Sequence, residues 1–64
     1  MKEIRLRIRA HLWSRGWRMW ELAEKTGYTA NHISRMLRGV RPLSRQFLIA
    51  CEYALELEEG VLSR

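Results

Sequence analysis

The chain has one cysteine, Cys51, and one proline, Pro42, in 64 residues. A lone cysteine excludes an intramolecular disulfide and points to a reducing, cytoplasmic setting. No apolar run approaches the ~20 residues that span a bilayer, and charges run through the N-terminus where a signal peptide would need an unbroken apolar core. A membrane partner is therefore not expected. There is no glycine-rich phosphate loop and no nucleophile paired with a base, and the one gathering of carboxylates, Glu52, Glu56, Glu58 and Glu59, reads as a solvated cluster. His11 and His32 stand far apart, without the Cys or acidic companions of a metal site. The chain is expected to be no enzyme and to use no metal, no cofactor and no small-molecule ligand.

What is present is apolar and basic. Apolar residues make up 47% of the chain, enough for a core, so a disordered basic tail is excluded. Sixty-four residues form one domain, and at that size only about 60% of the unfolded chain's surface can be buried, so stability is marginal unless a partner adds to it. No linker, repeat or low-complexity stretch interrupts the chain. Its net charge of +5 is unevenly placed: residues 1–45 hold eleven Lys and Arg against three Glu, a balance of +8, and residues 46–64 hold one Arg against four Glu, a balance of −3. The natural partner of the first part is a polyanion.

The pattern along the chain predicts an all-α fold of four helices, with five as the variant. Ile4 to Arg9 alternates with the period of a strand, but no second strand follows to pair with it. Ile4, Ile8 and Leu12 also form an i, i+4, i+8 stripe that Gly16 is placed to terminate, so helix is expected over Lys2 to Arg15. A second helix is expected from Met19 to Thr26, a turn at Gly27 and Tyr28, and a third helix from Ala30 to Arg38 with Thr29 as its N-cap. Gly39 ends it, Pro42 discourages helix at Arg41, and Ser44 can cap a fourth helix to about Glu58. Glu59 to Arg64 is expected to fray.

Three steric constraints fall inside Met19 to Arg38. Ala23 is small where two short helices must approach, Gly27 is free of the Cβ penalty four residues on, and Ile33 lies six further along as an apolar anchor. Leu22, Tyr28 and Met36 add bulk toward the core. These residues resemble the Cro/repressor-like family of small helix-turn-helix regulators. The resemblance runs from about Ile4 to Leu57 and is strongest at Leu22-Ala23, Gly27, Ile33-Ser34-Arg35 and Gly39. It departs at Met19, where many members carry Gln, and at Thr26, where an apolar residue is common. It implies a lambda-repressor-like domain that binds operator DNA and acts as a repressor by occluding a promoter. The length agrees, since 64 residues leave no room for an effector or activation domain.

At ~100° per residue, Ile33 and Met36 of the third helix point to the core with Leu37 beside them, and Ala30, Asn31, Ser34, Arg35 and Arg38 span the other side. A reading helix enters the major groove N-terminal end first, which selects Ala30, Asn31, Ser34 and Arg35 as base readers. Asn can pair bidentately with adenine, Arg with guanine, and Ala can meet a thymine methyl. Asn31 and Arg35 also match the base-contacting positions of the family it resembles, whereas Ser34 reads equally as a solvated position. Phosphate contacts are expected from Arg18, Arg38, Arg41 and Arg45, the last at a helix N-terminus, and from Thr29, although capping alone explains that residue.

Trp13 and Trp17 are expected in the core, while Trp20 stays open among rim, dimer contact and DNA contact. Cys51 reads as an inert core thiol. In the fourth helix Phe47, Ala50, Ala54 and Leu57 serve the core, which leaves Leu48, Ile49, Tyr53 and Leu55, followed by Val61 and Leu62, as a surplus expected to join two copies. A two-fold homodimer would set its reading helices about 34 Å apart on a pseudo-palindromic operator of double-stranded DNA. The alternatives are a protein-interaction module such as an antitoxin, with DNA binding secondary, and a cationic membrane binder built on residues 2–20. A surface-lying helix has no need of the turn at Gly27, which argues against the membrane binder.

Overall fold

Ile4, Ile8 and Leu12 recur every fourth residue, and the segment that carries them is a helix, α1 (Lys2–Arg15). The computed structural model describes residues 2–64, with side chains from Glu3 onward; the protein is all-α, with four helices. Gly16 takes the left-handed conformation (φ 69°) that ends α1, and the Trp17 amide then bonds the Leu12 carbonyl at 2.9 Å. Helix α2 (Met19–Thr26) begins with the Glu21 carboxylate reaching back to the Arg18 amide at 2.7 Å. Its last residue, Thr26, donates its hydroxyl to the Leu22 carbonyl at 2.8 Å and accepts the Tyr28 amide at 3.4 Å. A polar residue thus sits in the turn with both functions used.

Gly27 follows at φ 82°, and helix α3 (Ala30–Leu37) starts when Thr29 accepts the His32 amide at 3.1 Å. Tyr28 packs edge-on against the buried Phe47, with ring centroids 5.2 Å apart, so the turn is fixed to the core. Helix α3 closes one residue earlier than expected, with Gly39 at φ 83° and the Val40 amide on the Arg35 carbonyl at 3.0 Å. Ser44 caps helix α4 (Arg45–Ala54) by accepting the Phe47 amide at 3.1 Å.

Helix α2 packs on α3 and α4, while α1 packs on α3 and on a C-terminal 3-10 turn (Val61–Ser63) that also rests on α4. Ile8, Leu22, Ile33, Met36, Phe47 and Cys51 meet in the centre, all with essentially no solvent exposure. Each apolar side chain so buried contributes about 1.5–3 kcal/mol.

Five expectations are corrected. Trp13 is 87% exposed: it lies ~140° around α1 from Ile8, so helical phase overrides the general tendency of aromatic rings to bury. Helix α4 stops at Ala54 rather than near Glu58, because Glu56 turns the chain at φ 57° and the Leu57 amide bonds the Glu52 carbonyl oxygen at 2.8 Å. The tail that follows is folded, not frayed. Glu52, expected in solvent, is 3% exposed, and its carboxylate accepts the Gly60 and Leu62 amides at 2.9 Å each. Finally, Leu48, Leu55 and Leu62 belong to the core at 8%, 2% and 1% exposure, so they cannot line a dimer contact. The tail folds back between α1 and α4, and these three side chains fill the space so enclosed.

Candidate nucleic-acid interface

The outer side of α3 is set by what its inner side buries. With Ile33, Met36 and Leu37 in the core, Asn31, Arg35 and Arg38 are left exposed, and Ala30 and Ser34 half-buried beside them. Asn31 and Arg35 are one turn apart on the same face. Together they present an amide and a guanidinium, the two groups that pair bidentately with purine edges. No side-chain hydrogen bond within the protein occupies either of them among the described contacts.

Three further cations lie on the segments before and after α3. Arg18 precedes α2, Arg41 lies in the loop after α3 and Arg45 opens α4, all exposed. The Thr29 hydroxyl accepts the His32 amide and keeps its own hydrogen to donate. Among the described residues one ion pair forms, Arg64 with Glu58 at 3.2 Å. The guanidinium groups of Arg18, Arg35, Arg38, Arg41 and Arg45 thus form no ion pair among the described residues, and their fields add outward toward any anion in solvent.

The arginines of α1 behave differently, which the charge count alone did not reveal. Arg5 donates from Nε to the Met36 carbonyl at 2.7 Å, Arg7 donates to the Val61 and Arg64 carbonyls at 3.0 and 2.6 Å, and Arg15 donates to the Leu55 carbonyl at 3.0 Å. The Met36 and Leu55 carbonyls lie at the C-terminal ends of α3 and α4, where the dipole favours a cation, and the Val61 and Arg64 carbonyls belong to the C-terminal turn. Three of the positive charges counted in residues 1–45 therefore hold the fold. Helical phase carried the signal for one of them, since Arg15 lies only ~20° from Ile8 on the inward stripe.

Trp17 packs at the edge of the core, and Lys25 Nζ stands 5.2 Å from the centre of its ring. Trp20 is 59% exposed at the start of α2, close in sequence to Arg18. Cys51 is buried, and desolvation, with the Glu52 carboxylate next to it, pushes its thiol up to about 12, so it is held as the unreactive thiol. Burial, with Arg15 and Arg7 nearby, lowers the pKa of His11. Among the described residues no three His, Cys, Asp or Glu side chains gather as metal ligands, and no helix is long and apolar enough to cross a membrane.

No family model, curated protein or solved structure matches this chain.

Proposed function

We propose that the chain is a sequence-reading DNA-binding regulator of the Cro/repressor-like kind, which inserts α3 into the major groove and represses by occluding a promoter. The observation that carries this reading is the pairing of Asn31 with Arg35 on the exposed face of a helix whose other face is locked in the core, flanked by arginines that no carboxylate neutralises. Asn31 and Arg35 read base edges, with Ala30 and Ser34 alongside. Arg18, Arg38, Arg41 and Arg45 take phosphates, and Thr29 can add a hydroxyl. A bacterial cytoplasm or nucleoid is the setting in which such a protein meets its DNA. Self-association belongs to the same reading in reduced form, since Ile49, Tyr53 and part of Val61 are what remains at the surface of the expected contact. A second reading, an antitoxin-like interaction module, draws on the exposed Trp13 and Tyr53, which DNA reading by α3 does not use.

Selection of bound sites from random DNA duplexes tests the proposal. Enrichment of a defined motif is the expected result, with an inverted repeat if copies pair two-fold. Binding without any sequence preference would overturn base reading and put the interaction module first.

A further inference from the structure

Apart from Trp20 and Val40, the large exposed apolar side chains fall on two faces. The first lies on α1, where Leu6 and Trp13 are 64% and 87% exposed. They are seven residues apart on one side of the helix, about 10.5 Å along its axis. Beside Leu6 a groove runs to the end of α3, lined by Arg5, Arg9, Leu37, Arg38 and Gly39. It contains three arginines and no carboxylate; Arg5 is tied to the Met36 carbonyl, which leaves Arg9 and Arg38 exposed. The second face lies on α4, where Ile49 and Tyr53 are 49% and 88% exposed and one turn apart. Its groove is lined by these two with Glu52, Leu57 and Glu59, and so contains two carboxylates and no cation. Glu52 is spent on the Gly60 and Leu62 amides, while Glu59, and Glu56 at the end of α4, face solvent.

The two grooves share no residue. Each face offers a large aromatic ring and an aliphatic side chain that water covers poorly, and the groove on each is lined by charge of one sign. Paired with itself, the α1 face sets Arg9 against its own copy, and the α4 face sets Glu59 against Glu59. Paired with each other, the faces bury Trp13 and Leu6 against Tyr53 and Ile49 and bring Arg9 to Glu59. We infer that copies of this chain associate head to tail, the basic apolar face of α1 in one copy seating on the acidic apolar face of α4 in the next. This deepens the self-association part of the proposed function and is independent of DNA reading. A contact of this kind uses two different surfaces, so it leaves one of each free at the ends and grows beyond a dimer unless its rotation closes a ring.

Sedimentation of the full chain without DNA tests the inference, because single-face variants distinguish it from a two-fold dimer. The substitutions Trp13→Glu and Tyr53→Arg fall on exposed positions and leave the core untouched. The wild type is expected to gain mass with concentration into the submillimolar range and to lose it at high salt. Each variant alone should stay monomeric. Their equimolar mixture should form a one-to-one dimer of twice the monomer mass, since Tyr53→Arg keeps an intact α1 face and Trp13→Glu an intact α4 face. Self-association abolished by Tyr53→Arg but unaffected by Trp13→Glu would show a two-fold contact through α4 and overturn the inference. So would a mixture that stays monomeric, or a wild type that never exceeds the monomer mass. DNA reading can fail or hold in the random-duplex selection without altering any of these outcomes.

Discussion

Arg5 of α1 donates its Nε hydrogen to the Met36 carbonyl near the end of α3 at 2.7 Å, so the first helix holds α3 at its C-terminal end. The same guanidinium reaches the Arg41 carbonyl at 3.4 Å, in the loop that carries a candidate phosphate contact. Hydrogen bonds from charged donors contribute roughly 1.5–3 kcal/mol, and the partial exposure of Arg5 places it at the lower end. Arg5→Met keeps most of the apolar stem and removes both bonds. Urea unfolding should show a loss of about 1–2 kcal/mol, and Arg5→Lys should not restore it, because a single ammonium cannot reproduce the planar fork. Full recovery by Lys would mean that only the charge matters there.

Arg35 and Arg41 differ in role under the proposed function. Arg35→Ala should weaken binding to the selected site by roughly 1–3 kcal/mol and relax preference at one base pair. Arg41→Ala should weaken all sequences alike and reduce the salt slope by about one. Competition binding across a salt series separates the two. Equal losses on selected and random DNA for Arg35→Ala would remove it from the base readers.

Gly27 and Glu56 share a left-handed backbone, at φ 82° and 57°, but only one of them is the residue that conformation favours. A Cβ built at Gly27 meets nothing within 4 Å, so substitution there strains the backbone rather than the packing. Left-handed conformation costs a residue with a side chain roughly 1–2 kcal/mol, and a β-branched one more. Gly27→Val should therefore lower thermal stability sharply, and Gly27→Asn only mildly. Glu56→Gly should do the reverse and raise stability by roughly 0.5–1 kcal/mol, the conformational gain less the added freedom of the unfolded chain. A calorimetric melt that moves the wrong way for either variant would contradict the assigned backbone.

Where local chemistry decides the structure, the sequence was readable. Gly16, Thr29, Gly39 and Ser44 stand at the helix ends their caps predict, and α3 buries the face that Ile33 and Met36 mark. The rest depends on contacts between segments. Trp13 is a large ring whose position on α1 faces away from every packed neighbour, and composition alone cannot express that phase. The end of α4 has no glycine or proline to announce it; it turns because Leu55 and Leu62 reach one core and the Glu52 carboxylate collects two amides from the tail. Half of the expected dimer residues were lost to the same event. At the candidate interface, the outward set on α3 was legible from periodicity. The use of Arg5, Arg7 and Arg15 as caps for other elements was not, because their carbonyl partners lie far along the chain.

Glu52 governs whether that tail stays folded. Both of its carboxylate oxygens accept amides of the C-terminal segment, and Gln can supply only one acceptor where two are needed. Leaving a buried amide unpaired costs about 1–3 kcal/mol, so Glu52→Gln should destabilise the protein by that amount. Leu62→Ala opens the same latch from its apolar side and should cost roughly 2–5 kcal/mol. Because the two share one event, the double variant should lose less than the sum of the single losses. Amide hydrogen exchange gives the local readout, with Gly60 and Leu62 exchanging faster in Glu52→Gln than residues of α2 and α3. Arg7 of α1 is bonded to the Val61 carbonyl in the same turn, so opening the latch loosens α1 from the tail while Tyr28 and Phe47 still hold the turn between α2 and α3. DNA affinity, measured where the variant remains folded, should accordingly fall much less than stability. An additive double variant, or affinity lost in step with stability, would mean that the tail is joined to α3 rather than to α1 and α4 alone.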